Sequence, residues 1–331
     1  PEEATSLGLP GHETEYGDYS PAGAAGLDEL NRRLLEDLDS LEPTDDVDRV
    51  TKAAMQERIG LERELHATGR TELNNIASPA QGIRAIFDLM PTDTTEHWEH
   101  IAGRLENLPA ALSGYTQSLL ASREAGHVAA ARQVDIVIDQ ARAHVAVGGF
   151  FPSLLDRART ADAVPQALHS RIERGVATAA AAYSEFAEAL ETGLRPHAPA
   201  EDAVGREHYA LASRQFLGAR IDLEETYAWG QDELARIIAA QEQDAERIRP
   251  GASIDQARQI LDGDPARQLS GTEALRSWMQ DLSDRALERM REHFEIPSPM
   301  DRIECMIAPT QEGGIYYTCL LYTSPSPRDR G

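Results

Sequence analysis

Asp93-Thr94-Thr95-Glu96-His97-Trp98-Glu99-His100-Ile101-Ala102-Gly103-Arg104-Leu105-Glu106-Asn107-Leu108-Pro109-Ala110-Ala111-Leu112-Ser113-Gly114-Tyr115-Thr116-Gln117-Ser118-Leu119 is the stretch that decides the fold. Trp98, Ile101, Leu105, Leu108, Leu112, Tyr115 and Leu119 recur in steps of three and four, which aligns them along one face of an α-helix. Asp93 and Glu96 have the spacing of a capping box, in which side chains satisfy free amide hydrogens at a helix start. Pro109 removes one backbone donor inside the stripe, so the spacing predicts a kink or a split there.

The same period extends in both directions. Upstream, Leu27, Leu30, Leu34, Leu38 and Leu41 form one stripe; Val47, Val50, Ala54, Leu61 and Leu65 form another. Downstream, Ala130, Val134, Val137, Ala141 and Val145 run to Gly148-Gly149. Leu168, Ile172, Ala179, Tyr183, Phe186 and Leu190 run to Gly193 and Pro196. Leu223, Tyr227, Gly230, Leu234 and Ile237 follow Asp222 and Glu225, a second capping pair. Gly230 falls on that apolar seam, where a missing side chain would admit a neighbouring helix. Ser253 and Gln256 start a short helix that Gly263 stops. Leu275, Trp278, Leu282, Ala286 and Met290 form the last long stripe, closed by Pro297 and Pro299. The pattern predicts a mainly α fold, an irregular multi-helix domain of about ten helices over residues 22–300. Residues 1–21, rich in Gly, Pro, Ser and acids, read as an extended lead-in. No repeat of solenoid length is visible.

The C-terminal end reads differently. Residues 302–309 and Gly313-Gly314-Ile315-Tyr316-Tyr317-Thr318 suggest two short strands joined by a glycine turn. This β-hairpin or edge-strand element over residues 301–318 would open a small sheet, and a lone pair of strands needs a cover. Residues 319–331 have two closely spaced prolines and no apolar period. They read as a foreign, disordered tail of the kind that a sequencing adapter encodes, and are set aside from the fold. With Pro1 in place of an initiator methionine, the expectation is a fragment.

Composition narrows the function. The 331 residues carry 32 Lys and Arg against 56 Asp and Glu, a net charge of -24. Such a surface repels nucleic acid and anionic lipid. The mean hydropathy is -0.45, and no apolar run approaches the length of a membrane span. Two cysteines, Cys305 and Cys319, make no disulfide framework, which fits a reducing cytoplasm. The acidic excess reads as a solvated surface, with an acidic cleft for cationic substrates as the alternative.

Motifs for catalysis are sparse. A helical zinc protease needs His-Glu-x-x-His, which places two ligands on one face, and the chain lacks it. His97 and His100 share a face beside Trp98 and read as a surface pair. His66 and His293 lie near helix C-termini, where they compensate the dipole. No nucleophile elbow or phosphate-cradling loop is present. No catalytic residue and no metal ligand is assigned to this chain.

Two segments are more distinctive. Gly205-Arg206-Glu207-His208-Tyr209-Ala210-Leu211 precedes Leu223-Glu224-Glu225-Thr226-Tyr227-Ala228-Trp229-Gly230-Gln231-Asp232-Glu233-Leu234, and Gly313-Gly314-Ile315-Tyr316-Tyr317-Thr318 ends the helical part. On these residues the chain resembles the bacterial domain-of-unknown-function family 885, from Leu7-Gly8-Leu9 to Thr318. The resemblance implies a zinc-dependent metallopeptidase-like parent with a helical, cleft-containing fold and a small peptide-like substrate. The family's His-Glu-x-x-Pro-Gly-His-His motif lies downstream of the final strand, so zinc is expected for the parent and not for this chain. By the same resemblance Gly314, Ile315, Tyr316 and Tyr317 belong to a strand that borders substrate. The expectation is an inactive N-terminal scaffold portion of such a hydrolase. The rival is a non-enzymatic, acidic, all-helical interaction module that binds a cationic partner.

Overall fold

The structure, a computed structural model, describes residues 1–298 and 302–307. It divides into two compact units, residues 1–219 and residues from 220 onward. The first contains α1 (Glu2–Ser6), α2 (Pro21–Ser40), α3 (Asp46–Ala67), α4 (Pro79–Ala85), α5 (Thr95–Glu124), α6 (Ala131–Val145), α7 (Phe150–Thr160), α8 (Gln166–Ala189) and α9 (Arg206–Leu217). The second contains α10 (Leu223–Ile248), α11 (Ile254–Asp262) and α12 (Thr272–Met290). The mainly α expectation holds.

Helix α5 is the axis of the first unit. All seven residues of its stripe are buried, Trp98 and Leu112 at 2% exposure and Leu105 and Leu108 at 0%. The cap is Thr94, not Asp93: its hydroxyl accepts from the His97 amide at 3.2 Å. Pro109 does not split the helix, which runs unbroken for 30 residues. A proline inside a helix costs about 3 kcal/mol. Leu105, Leu108 and Leu112 alone recover more than that, at about 1.5–3 kcal/mol per buried side chain.

Helix α8 packs along α5, with α6 and α7 against α8. The contact is close because Gly175 faces Leu105: a Cβ built at Gly175 would lie 2.9 Å from the Leu105 Cβ. Ile172, Ala179, Tyr183 and Phe186 fill the rest of the seam. Beyond Ala189 the helix widens into a π turn, Leu190–Leu194, with both leucines buried.

After α1 the lead-in runs as a strap over α5. Asn107 donates to the Thr14 carbonyl at 2.9 Å, and the Ser118 hydroxyl to the Tyr19 carbonyl at 2.7 Å. Two glycines of α5 admit it. Cβ atoms at Gly103 and Gly114 would meet Thr14 Cγ2 at 2.6 Å and the Ser20 amide at 3.0 Å. The Tyr16 hydroxyl donates to the Ile83 carbonyl at 2.8 Å, fastening the strap to α4.

The stripes of α2 and α3 behave differently from that of α5. Only Leu38 and Leu61 are buried in these helices, while Leu27, Leu30, Leu41, Val47 and Val50 are exposed. The two helices pack chiefly on each other. A helical period shows that one face is apolar, not that a core receives it.

In the second unit Asp222 caps α10 by accepting from the Glu224 and Glu225 amides. Ser253 and Gln256 form a complete capping box on α11. Helices α10 and α11 meet through Ala245 and Ala257, the buried hydrophobics of this unit among the described residues. Gly230 is not a packing glycine, since a Cβ there would meet nothing within 4 Å.

The expected hairpin is not seen. No strand occurs among the described residues. Residues 302–307 are held by a side chain in place of a partner strand. Gln280 of α12 donates to the Ile303 carbonyl at 2.8 Å and accepts from the Cys305 amide at 2.9 Å. The second predicted strand and the tail lie outside the described residues.

Candidate functional site

A groove of about 260 Å³ lies in the first unit between α2, α3, the loop after α3 and α9. Ala24, Leu27 and Leu65 give it an apolar side, and Asp28, Glu62, His66, Arg70, Glu72 and His208 give it charge. Helix α9 forms one wall. Gly205 and Gly218 bracket it at φ 84° and 69°, left-handed conformations that favour glycine.

Arg214 fixes α9 to α3. Its guanidinium, 7% exposed, donates to both carboxylate oxygens of Glu57 and to both of Glu64, the latter at 2.9 and 3.0 Å. These acids raise the arginine's pKa further above its ordinary range. Gln215 adds a hydrogen bond to Glu62 at 3.1 Å. The clamp sets His208 into the groove wall, where Nε2 lies 3.6 Å from a Glu72 oxygen. Nδ1 of the same ring is buried and meets no acceptor or donor among the described residues.

The groove's titrating groups differ in environment. Burial lowers the His208 pKa, and Arg70 and His127 add to this, while Glu72 opposes it. The Arg63 hydrogen bond holds the Asp28 carboxylate below its usual range. His66 Nδ1 sits 3.8 Å from the same Asp28. The Thr68 hydroxyl and the Arg70 guanidinium line the same groove. Among the described residues no group of three His, Cys, Asp or Glu could hold a metal.

Sequence reasoning did not find this groove. Its members come from four separate segments, and only the Gly205–Leu211 block stood out. The substrate-bordering residues Gly314, Ile315, Tyr316 and Tyr317 lie outside the described residues. His97 and His100 do flank the buried Trp98, each half-buried. A second depression, about 630 Å³ and open, lies between the end of α10 and the start of α11 and is lined by Glu242, Glu246, Ser253 and Asp255.

The second unit has another feature. Tyr227, Trp229 and Leu234 on α10, and Trp278 on α12, are 46–69% exposed. Ile237, Ile238, Leu275, Leu282 and Met290 are also exposed. Among the described residues no helix is long and apolar enough to cross a membrane.

Among the described residues these features define an acidic, mainly helical protein with a mixed-charge groove and exposed apolar helix faces. The chain belongs to the bacterial family of unknown function DUF885, whose family model matches residues 1–326. It is similar to the solved structure described as "the putative lipoprotein from Colwellia psychrerythraea", with a TM-score of 0.70 at 17% identity. The match covers 88% of this chain and 56% of that one, so the chain spans little more than half the length of its solved relative. No curated protein matches the sequence.

Proposed function

We propose that this chain is the helical scaffold portion of a zinc-metallopeptidase-like hydrolase and supplies the wall against which a metal-bearing part seats. The observation that carries the reading is the second unit's surface. Its buried hydrophobics among the described residues are two alanines, Ala245 and Ala257, while two tryptophans and a tyrosine stand exposed. Apolar area of that kind marks a face that another body covers. The greater length of the solved relative supports the same reading, because a further stretch of chain there has no counterpart here. The proposed scaffold role is non-catalytic, with zinc and the water it activates supplied by the covering part.

Two measurements test the proposal. The 331-residue chain is expected to bind no stoichiometric zinc by metal analysis and to hydrolyse no peptide. A gene that continues these residues is expected to encode a His-Glu-x-x-His helix, and its product to bind one zinc. One tight zinc on the present chain, or a continuing gene without that motif, would overturn the reading. The latter result would favour the acidic interaction module, for which the net charge of -24 is the supporting observation.

A further inference from the structure

Arg104, in the first half of α5, is a buried cation with an incomplete set of partners. It has 0% exposure. Its Nη2 donates to Thr5 Oγ1 at 2.9 Å and to the carbonyls of His12 and Glu15 at 2.8 and 3.0 Å. All three acceptors are neutral and belong to α1 and the strap. The Tyr16 ring lies 5.4 Å from Cζ, an attractive arrangement for a guanidinium. Nε and Nη1 are buried as well and meet no acceptor among the described residues. A guanidinium carries five N–H donors, and these two atoms hold three of them.

The nearby acids do not complete the set. Glu2 and Glu13 act on Arg104 only through space. The Glu2 carboxylate accepts from the Gly17 amide and the Tyr19 hydroxyl. Glu13 accepts from the Gly11 amide. Burial is the largest influence on Arg104, lowering its pKa. A desolvated charge without a hydrogen-bonded counter-ion is costly, and a guanidinium is the side chain best shaped to receive a small anion.

We propose that Arg104 forms an enclosed site for a small monovalent anion, a halide or a short carboxylate, held at Nε and Nη1 beneath the N-terminal strap. The bound anion neutralises the guanidinium while Nη2 keeps its hold on the strap carbonyls. Anion binding and closure of the strap are therefore linked: whatever lifts residues 7–20 from α5 also exposes the anion to water. This site is separate from the groove and from the proposed scaffold role, and it stands whether or not that role does.

The test uses the full chain at constant ionic strength. Chloride and bromide form one arm, formate and acetate the other, each exchanged against gluconate as the bulky reference anion. The expected result is a saturable rise in melting temperature in one arm, about 5–10 °C at a hundredfold excess over Kd. Hydrogen exchange at residues 7–20 should slow with the same anion dependence. Arg104→Met should abolish both responses. If that variant fails to fold, a bromide-soaked crystal of the unsubstituted protein decides, with an anomalous peak expected beside Nε or Nη1 of Arg104. A linear, ion-independent rise, water alone at those nitrogens, or an adventitious ion only, bound at the surface, would each overturn the proposal.

Discussion

Replacing Gly175 by alanine should destabilise the first unit, although alanine is the better helix former. The substitution gains about 1 kcal/mol of helix propensity. Against this, the new Cβ lies 2.9 Å from the Leu105 Cβ. Carbon atoms sit best about 3.5–4.0 Å apart, so α5 and α8 must separate by roughly half an ångström or more. Overpacking of this kind costs about 1–3 kcal/mol, leaving a net loss of about 1 kcal/mol, or roughly 2–4 °C in Tm for a unit of this size. Gly175→Val should lose more, because it adds two methyl groups at the same contact and gains less propensity.

The obstructing atom makes the prediction sharper. Leu105 meets the new methyl first with its Cβ, which alanine retains. Leu105→Ala costs about 2–5 kcal/mol by itself and should leave the Gly175→Ala loss largely in place. A double variant more stable than Leu105→Ala alone would mean that flexible δ-methyls caused the clash. The control is Gly230→Ala on α10, where a Cβ meets nothing within 4 Å; it should stabilise α10 by up to about 1 kcal/mol. Urea unfolding of the parent and the five variants, followed by circular dichroism, reads all of these. If Gly175→Ala matches or exceeds the parent, the close α5–α8 contact is wrong.

Three further outcomes follow from buried polar groups. The Tyr183 hydroxyl is buried with no partner among the described residues, and an unmet buried hydroxyl costs about 1–3 kcal/mol; Tyr183→Phe should therefore raise the urea midpoint. Arg214→Met removes the guanidinium that neutralises Glu57 and Glu64, so amides of α9 should lose hydrogen-exchange protection while those of α5 keep theirs. His208 gives a pH effect of definite sign. Its folded pKa lies below the ordinary value of about 6.5, so the folded state favours the neutral ring. Its contribution is complete above that pH and falls as acid protonates the unfolded chain first, ending below the folded pKa. His208→Gln should flatten the stability profile below about pH 6.5 relative to the parent.

The sequence reveals the axis of this fold because the stripe of α5 is strong enough to outweigh Pro109. Its stripe is unbroken and its buried face is continuous across Pro109. The glycines were harder to interpret. Gly175 and Gly230 both lie in helical stretches, and only the neighbour across the gap separates them: Leu105 for one and nothing for the other. The groove was hidden for a related reason. Asp28, His66, Glu72 and His208 are ordinary surface residues in their own segments, and tertiary packing alone brings them together. The lead-in, expected to be extended over residues 1–21, instead begins with α1 (Glu2–Ser6), and its sequence gave no sign that the strap's carbonyls would turn toward Arg104.

The second unit presents the opposite case. Its stripes on α10 and α12 are as regular as that of α5, and its caps at Asp222 and Ser253 form as the sequence predicts. Yet the large apolar residues of α10 and α12 remain exposed. Local helix signals and a place in a core are thus separable, and the difference is a partner surface that periodicity does not specify. Burying Trp229, Trp278, Tyr227 and Leu282 would gain about 1.5–3 kcal/mol for each aliphatic or aromatic side chain fully covered. That is enough for a covering body to set the stability of this unit.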